Sequence, residues 1–104
     1  MLVLSGNSLA STIEQSLGKD EYYRTATIAT VLFMCSKQYP DKGRLLKGAA
    51  LTTLAASGDI EKSKKIGSEL LEDSEFVFDV QDTINSDDGQ FFCLDVATNI
   101  VNQS

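Results

Sequence analysis

Histidine is absent from the 104-residue chain, and this absence excludes most of the common catalytic designs. Without an imidazole there is no Ser-His-Asp or Cys-His activation of a nucleophile, no histidine-ligated metal and no imidazole acid–base chemistry. The carboxylate pairs that remain lie in segments with solvent-facing composition and have no second catalytic group beside them. We therefore expect a protein that binds other molecules and is not an enzyme.

Long apolar runs are also missing, since the longest, such as Val31 to Cys35, have four or five residues. A membrane-spanning helix needs roughly 20 apolar residues, so no membrane span is expected. The apolar segment Met1 to Leu4 has no basic region before it and breaks at Ser5, which argues against a secretory signal. With only two cysteines, Cys35 and Cys93, there is no disulfide framework. We expect both thiols to be reduced and buried, in a cytoplasmic protein.

Basic residues are missing from the last part of the chain, because all nine Lys and Arg lie between Lys19 and Lys65. The net charge is −6 and the sequence pI is about 4.4. This balance opposes binding to a phosphate backbone, so no nucleic-acid partner is expected. The nine acidic residues after Lys65 have no basic residue among them. They predict docking to a partner with a basic patch, and the alternative is an ordinary solvated acidic face.

Six segments carry apolar residues at helical spacing and are separated by glycine, proline and aspartate. Asp20, Asp41, Asp59 and Ser74 are the predicted start signals of the second to fifth segments. The β-branched content of the second segment leaves a strand from Tyr22 to Cys35 as an alternative. The predicted helices are Ser8 to Leu17, Asp20 to Tyr39, Asp41 to Ser57, Asp59 to Leu71, Ser74 to Ile84 and Gln90 to about Val101.

The spacing of the turns groups these helices into three hairpins. Gly18, Gly58 and Gly89 each lie between two amphipathic segments, whereas Pro40 and Asp73 fall between one pair and the next. The predicted fold is therefore all-α, with residues 1–104 forming a single domain of three stacked helical hairpins. The alternative is a closed six-helix bundle without a groove.

Two motifs suggest a ligand, but each lacks an essential residue. Residues 85–95 match an EF-hand loop around Gly89, yet Ile84 stands where the first carboxylate belongs. Gly43 to Gly48 has the spacing of a phosphate loop, but Ala49 follows where the motif requires lysine. We expect no metal ion and no cofactor.

The central part of the chain, residues 51–70, resembles the middle of a tetratricopeptide repeat. A helix ends at Gly58, an aliphatic residue follows at Ile60, a small residue stands at Ser63 where helices cross, and Leu70 comes seven residues later. Lys47 replaces the expected early aromatic residue, and Glu75 replaces the closing proline. The size, the three hairpins and the single central repeat together resemble the YscG-like co-chaperones of bacterial type III secretion. That resemblance implies a cytoplasmic protein that pairs with a second small co-chaperone and keeps the secreted helical needle subunit soluble.

The first helix of a tetratricopeptide hairpin lines the concave side of the repeat. The resemblance therefore implies a chaperone or adaptor that binds an amphipathic helix of its partner in a concave groove. Transfer of the repeat pattern to this chain gives the predicted partner-binding residues, with the third hairpin supplying the last three: Leu45, Gly48, Thr52, Ala55, Val77, Phe78 and Phe91.

The second functional hypothesis is an acidic inhibitor or immunity protein that covers a basic site on an enzyme or toxin. It follows from the uncompensated acidic residues after Lys65, and it predicts an association that weakens as salt is added.

Overall fold

A computed structural model describes residues 15–103 of the chain, with side chains as far as Ile100. All regular structure in this range is helical, which confirms the all-α class. Residues 15–19 are helical and precede the first element whose bounds lie wholly inside the described range. Most of the first predicted helix, Ser8 to Leu17, lies outside the described residues. The elements that follow are α1 (Glu21–Gln38), a 3-10 turn (Pro40–Lys42), α2 (Gly43–Ala56), α3 (Ile60–Glu72), α4 (Ser74–Ile84) and α5 (Gly89–Gln103).

Helix α1 forms over the segment whose β-branched residues left a strand as an alternative, and the strand is therefore wrong. The Asp20 carboxylate accepts a hydrogen bond from the backbone N–H of Tyr23 at 2.8 Å, which is the predicted N-cap. Thr27 satisfies its hydroxyl within the helix by donating to the Tyr23 carbonyl at 2.7 Å. The 18 residues of α1 also exceed the usual length of a strand.

The start of α2 differs from the prediction, because Asp41 does not cap it. Pro40 opens a 3-10 turn that contains Asp41, and Lys42 occupies the cap position without a side-chain hydrogen bond. A proline is favoured at the first position of a helical turn, since it has no N–H to leave unpaired. The helix therefore begins at Gly43, two residues later than Asp41.

Two aspartates begin the next helices. Gly58 adopts a left-handed φ of 87° in the turn after α2, and Asp59 caps α3 by accepting from the Lys62 N–H at 3.0 Å. Asp73, and not the predicted Ser74, caps α4, since its carboxylate accepts from the N–H groups of Glu75 and Phe76. The helix ends are thus predictable to within one or two residues.

Helix α1 is the centre of the packing, since α2, α3, α4 and α5 all contact it. Although α2 and α3 are joined by a tight turn, each packs more extensively on α1 than on the other. The core residues with at most 2% exposure include Ala26, Ala29, Leu32, Cys35, Leu46, Ala50, Phe76, Val80, Cys93 and Ala97. The stacking of three hairpins stays a prediction.

A hydrogen bond fixes the junction between α4 and α5. The Tyr39 hydroxyl donates to the carbonyl of Ile84 at 2.6 Å and so connects residues 45 apart in sequence. Gly89 begins α5 against the same carbonyl, and a Cβ at this position would overlap it. Gly89 therefore permits a close approach of two backbone segments.

The two cysteines form a disulfide, which corrects the expectation of free thiols. Cys35 of α1 and Cys93 of α5 are both fully buried, as expected, and their Cα atoms lie 6.0 Å apart. This separation lies within the range for a disulfide. Because they lie 58 positions apart in sequence, only the packing of α5 on α1 brings them together.

Candidate functional site

Four of the seven predicted partner-binding residues share the solvent side of α2. Leu45 is 44% exposed, and Gly48, Thr52 and Ala55 are exposed as well. The opposite side of α2 packs on the core through Leu46, Ala50 and Leu54, among other residues. The fold therefore leaves this predicted set accessible to a partner.

Leu51 belongs to the same exposed side, although it is not among the predicted partner-binding residues. It is 59% exposed, because it lies on the side of α2 away from the buried Leu46 and Ala49. We name the surface formed by Leu45, Gly48, Leu51, Thr52 and Ala55 the α2 face. From Gly48 to Gly58 the sequence has no charged residue. Arg44 and Lys47 are exposed in the first part of the helix, so the charge is confined to that end. A solvent-facing helix normally carries charged side chains along its length, so two exposed leucines on a face that is otherwise uncharged after Lys47 are unusual.

The other three predicted residues lie on α4 and α5. Phe78 is 58% exposed and Phe91 is 77% exposed, whereas Val77 is half-buried and packs against the core. Among the described elements α4 makes no contact with α2, so Val77 and Phe78 are not brought into the α2 face. Helix α5 does pack on α2.

Phe91 and Leu45 lie near the beginnings of α5 and α2. Each residue occupies the first turn of its helix, and the Tyr39–Ile84 hydrogen bond holds the beginnings of α2 and α5 near each other.

A second apolar surface lies between α1 and α3, with Leu54 of α2 beside it. It is an open groove of about 340 Å³, which we name the α1–α3 groove. Its floor is buried and its walls are apolar side chains of α1 and α3. The lining residues are Ala26, Ala29, Thr30, Phe33, Met34, Lys37, Leu54, Ser63, Lys64, Gly67, Ser68 and Leu71.

Small residues set the distance between the two helices of the groove. A Cβ added to Gly67 would lie 3.0 Å from the Thr30 hydroxyl, so α3 approaches α1 closely at this point. Ser63, one turn earlier on α3, is fully buried, and its hydroxyl has no hydrogen-bond partner. A buried hydroxyl without a partner costs stability, because it has lost its water without a replacement.

Two lysines give the rim of the groove a positive charge. Lys37 and Lys64 are exposed, and within residues 15–103 neither ammonium group has a carboxylate at ion-pair distance. No acidic residue lines the groove in the described part of the chain. The net negative charge of the protein is therefore not distributed evenly over its surface.

The acidic residues in the last part of the chain lie almost entirely on the surface. After Lys65 every Asp and Glu is exposed except Asp79, which is buried on α4. Residues 15–103 contain no group of three or more His, Cys, Asp or Glu side chains arranged to hold a metal ion. In the same range no helix is both long and apolar enough to cross a bilayer.

The sequence prediction missed the α1–α3 groove, although part of its signal was present. Ala26 and Thr30 on α1 and Ser63 and Gly67 on α3 are small residues spaced by four, which puts each pair on one side of its helix. The spacing indicates a close helix contact, but it does not show which two helices meet.

Comparisons with protein-family models, with curated proteins and with solved structures find no match to this chain.

Proposed function

We propose that the protein is a chaperone or adaptor that captures an amphipathic helix of another protein on its α2 face. The observation that carries the proposal is the solvent-exposed side of α2, which has exposed leucines at Leu45 and Leu51 and no charged residue from Gly48 to the end of the helix. Neither an enzymatic role nor a nucleic-acid partner forms part of the proposal.

The side chains of the α2 face suit a partner that presents a helix better than one that presents a flat surface. Gly48 and Ala55 have small side chains, which allow the backbone of a second helix to approach closely. Leu45 and Leu51 flank this strip and can pack between partner residues at positions i, i+3, i+4 and i+7. Each exposed leucine that becomes fully covered contributes about 1 kcal/mol, because roughly half of its surface is already buried. A partner helix must therefore engage the whole face to bind stably.

The proposed partner is of the class that the YscG-like co-chaperones bind. The protein would bind a type III secretion needle subunit together with a second small co-chaperone, in the bacterial cytoplasm, through three tetratricopeptide-like hairpins. The Cys35–Cys93 disulfide is of the kind found in oxidising compartments and rare in the cytoplasm. The redox state of these cysteines in cells therefore bears directly on the location.

The test of the proposal is the variant Ala55→Glu, with Gln81→Glu as a control that adds the same charge at an exposed site on α4. We expect Ala55→Glu to abolish binding to a purified type III secretion needle subunit, because a carboxylate would be buried against an apolar helix. Gln81→Glu should bind like the unchanged protein, and circular dichroism should show equal helicity in both variants. Equal binding by the two variants would contradict the proposed use of the α2 face, and failure of the unchanged protein to bind would contradict the partner class.

A second function is favoured by the exposure of the acidic side chains on α3, α4 and α5. The protein would then act as an acidic inhibitor or immunity protein that covers a basic site on an enzyme or toxin. Charge-driven binding is weakened strongly by salt, whereas capture of an apolar helix is not. Affinity for the native partner measured at low and high ionic strength separates the two functions.

A further inference from the structure

The α1–α3 groove is separate from the α2 face and has the properties of a ligand site. Its volume of about 340 Å³ is at the lower end of the range of small-molecule pockets. The buried floor includes Ala26, Ala29 and Leu54, and Phe33 and Met34 form part of the walls. At the rim Leu71 is 54% exposed, so an apolar surface continues from the floor to the solvent.

Charge indicates the kind of molecule that fits the groove. The exposed rim carries Lys37 and Lys64 but no acidic side chain from the described residues. Neither lysine has an ion-pair partner within residues 15–103. Both cations are therefore free to receive an anionic group at the mouth while an apolar chain occupies the interior.

We propose that the α1–α3 groove binds a single-chain amphiphile with an anionic head, of the class of medium-chain fatty acids. The carboxylate lies at the rim between Lys37 and Lys64, and the alkyl chain lies over the buried floor. Long lysine side chains suit this role, because their flexible stems let the ammonium groups follow the head group. The groove volume of about 340 Å³ suits one alkyl chain, and the two lysines, without ion-pair partners among the described residues, supply the charge that an anionic head group requires.

The experiment titrates the purified protein with decanoate, decanol and decyltrimethylammonium below their aggregation concentrations, with calorimetry as the readout. Exposed ion pairs are individually weak, so we expect decanoate to bind about fivefold more tightly than decanol and decyltrimethylammonium more weakly than both. Octanoate, with two fewer methylenes, should bind roughly tenfold more weakly than decanoate. Equal affinity for decanoate and decanol in the unchanged protein would overturn the proposal, as would an absence of saturable binding.

The double variant Lys37→Gln/Lys64→Gln locates the head group. We expect it to lose the preference for decanoate over decanol while retaining affinity for decanol. The matched control Lys47→Gln/Lys65→Gln removes two exposed lysines outside the groove, and it should keep the preference. If the control pair lowers decanoate affinity as much as the groove pair does, the attraction is only to the overall charge, and the assignment to the groove is wrong.

Chemical-shift changes in methyl spectra provide a further readout that does not depend on the variants. Decanoate should shift the methyl signals of Met34, Leu54 and Leu71 and leave those of Leu45 and Leu51 unchanged. Shifts confined to Leu45 and Leu51 would show that the amphiphile binds the α2 face and would overturn the site. Because the α2 face is probed separately by Ala55→Glu, failure here leaves the proposed protein-binding function unaffected.

Discussion

Breaking the Cys35–Cys93 disulfide should remove a large part of the stability of the fold. The bond connects α1 to α5 across a separation of 58 residues, so it restricts the unfolded chain strongly. The loop-entropy relation gives about 4 kcal/mol at 25 °C for a loop of this size, against a total stability of roughly 5–15 kcal/mol for a typical domain. A loss of this size corresponds to a fall in melting temperature of about 20 °C.

The assay is urea denaturation of the oxidised protein and of the same protein reduced while unfolded, followed by circular dichroism. We expect the reduced protein to unfold at lower urea with a steeper dependence, because its unfolded state is less compact. The double variant Cys35→Ala/Cys93→Ala should be at least as unstable, since it also loses the packing of two fully buried sulfur atoms. Coincident unfolding curves for the oxidised and reduced protein would refute the reasoning.

Two further substitutions test the packing described above. Ser63→Ala removes a buried hydroxyl that has no hydrogen-bond partner in the described part of the chain. It should raise the free energy of unfolding by about 1 kcal/mol more than Ser68→Ala, the exposed control on the same helix. A decrease in the free energy of unfolding would show that the Ser63 hydroxyl is hydrogen-bonded. Gly89→Ala places a Cβ against the Ile84 carbonyl and 2.9 Å from the Tyr39 hydroxyl, so it should lower the free energy of unfolding by roughly 2 kcal/mol or more. Gly48→Ala, in the open middle of α2, should raise the free energy of unfolding by about 0.5–1 kcal/mol. Equal unfolding midpoints for the two glycine variants would contradict the close approach at Gly89.

The helices were predictable because their signals are local. Asp20 and Asp59 mark helix starts through side-chain hydrogen bonds to the next turn, and Gly58 supplies the left-handed turn. Where two signals competed, the prediction was less exact. Asp73 caps α4 in place of Ser74, and the 3-10 turn at Pro40 removes the cap expected at Asp41.

The candidate sites were predictable only in part, because they depend on which helices meet. Four residues of the α2 face came from a repeat pattern, whereas Leu51 did not. Thr52 and Ala55 are exposed, and their use by a partner stays a prediction. The disulfide could not be predicted, since nothing in the sequence between two cysteines 58 positions apart indicates that α5 packs on α1. The α1–α3 groove was missed for the same reason, because its two walls come from helices separated along the chain by α2.

The central claim is that the α2 face is an apolar surface made to be covered by another protein. It is tested most directly by sedimentation velocity of the purified chain over a range of concentrations, together with its Ala55→Glu and Gln81→Glu variants. We predict that the unchanged chain and Gln81→Glu self-associate as concentration rises, because exposed apolar surface is covered by whatever protein is present. Ala55→Glu should remain monomeric with unchanged helicity. A chain that is monomeric at every concentration, with a melting temperature independent of concentration, would contradict the claim.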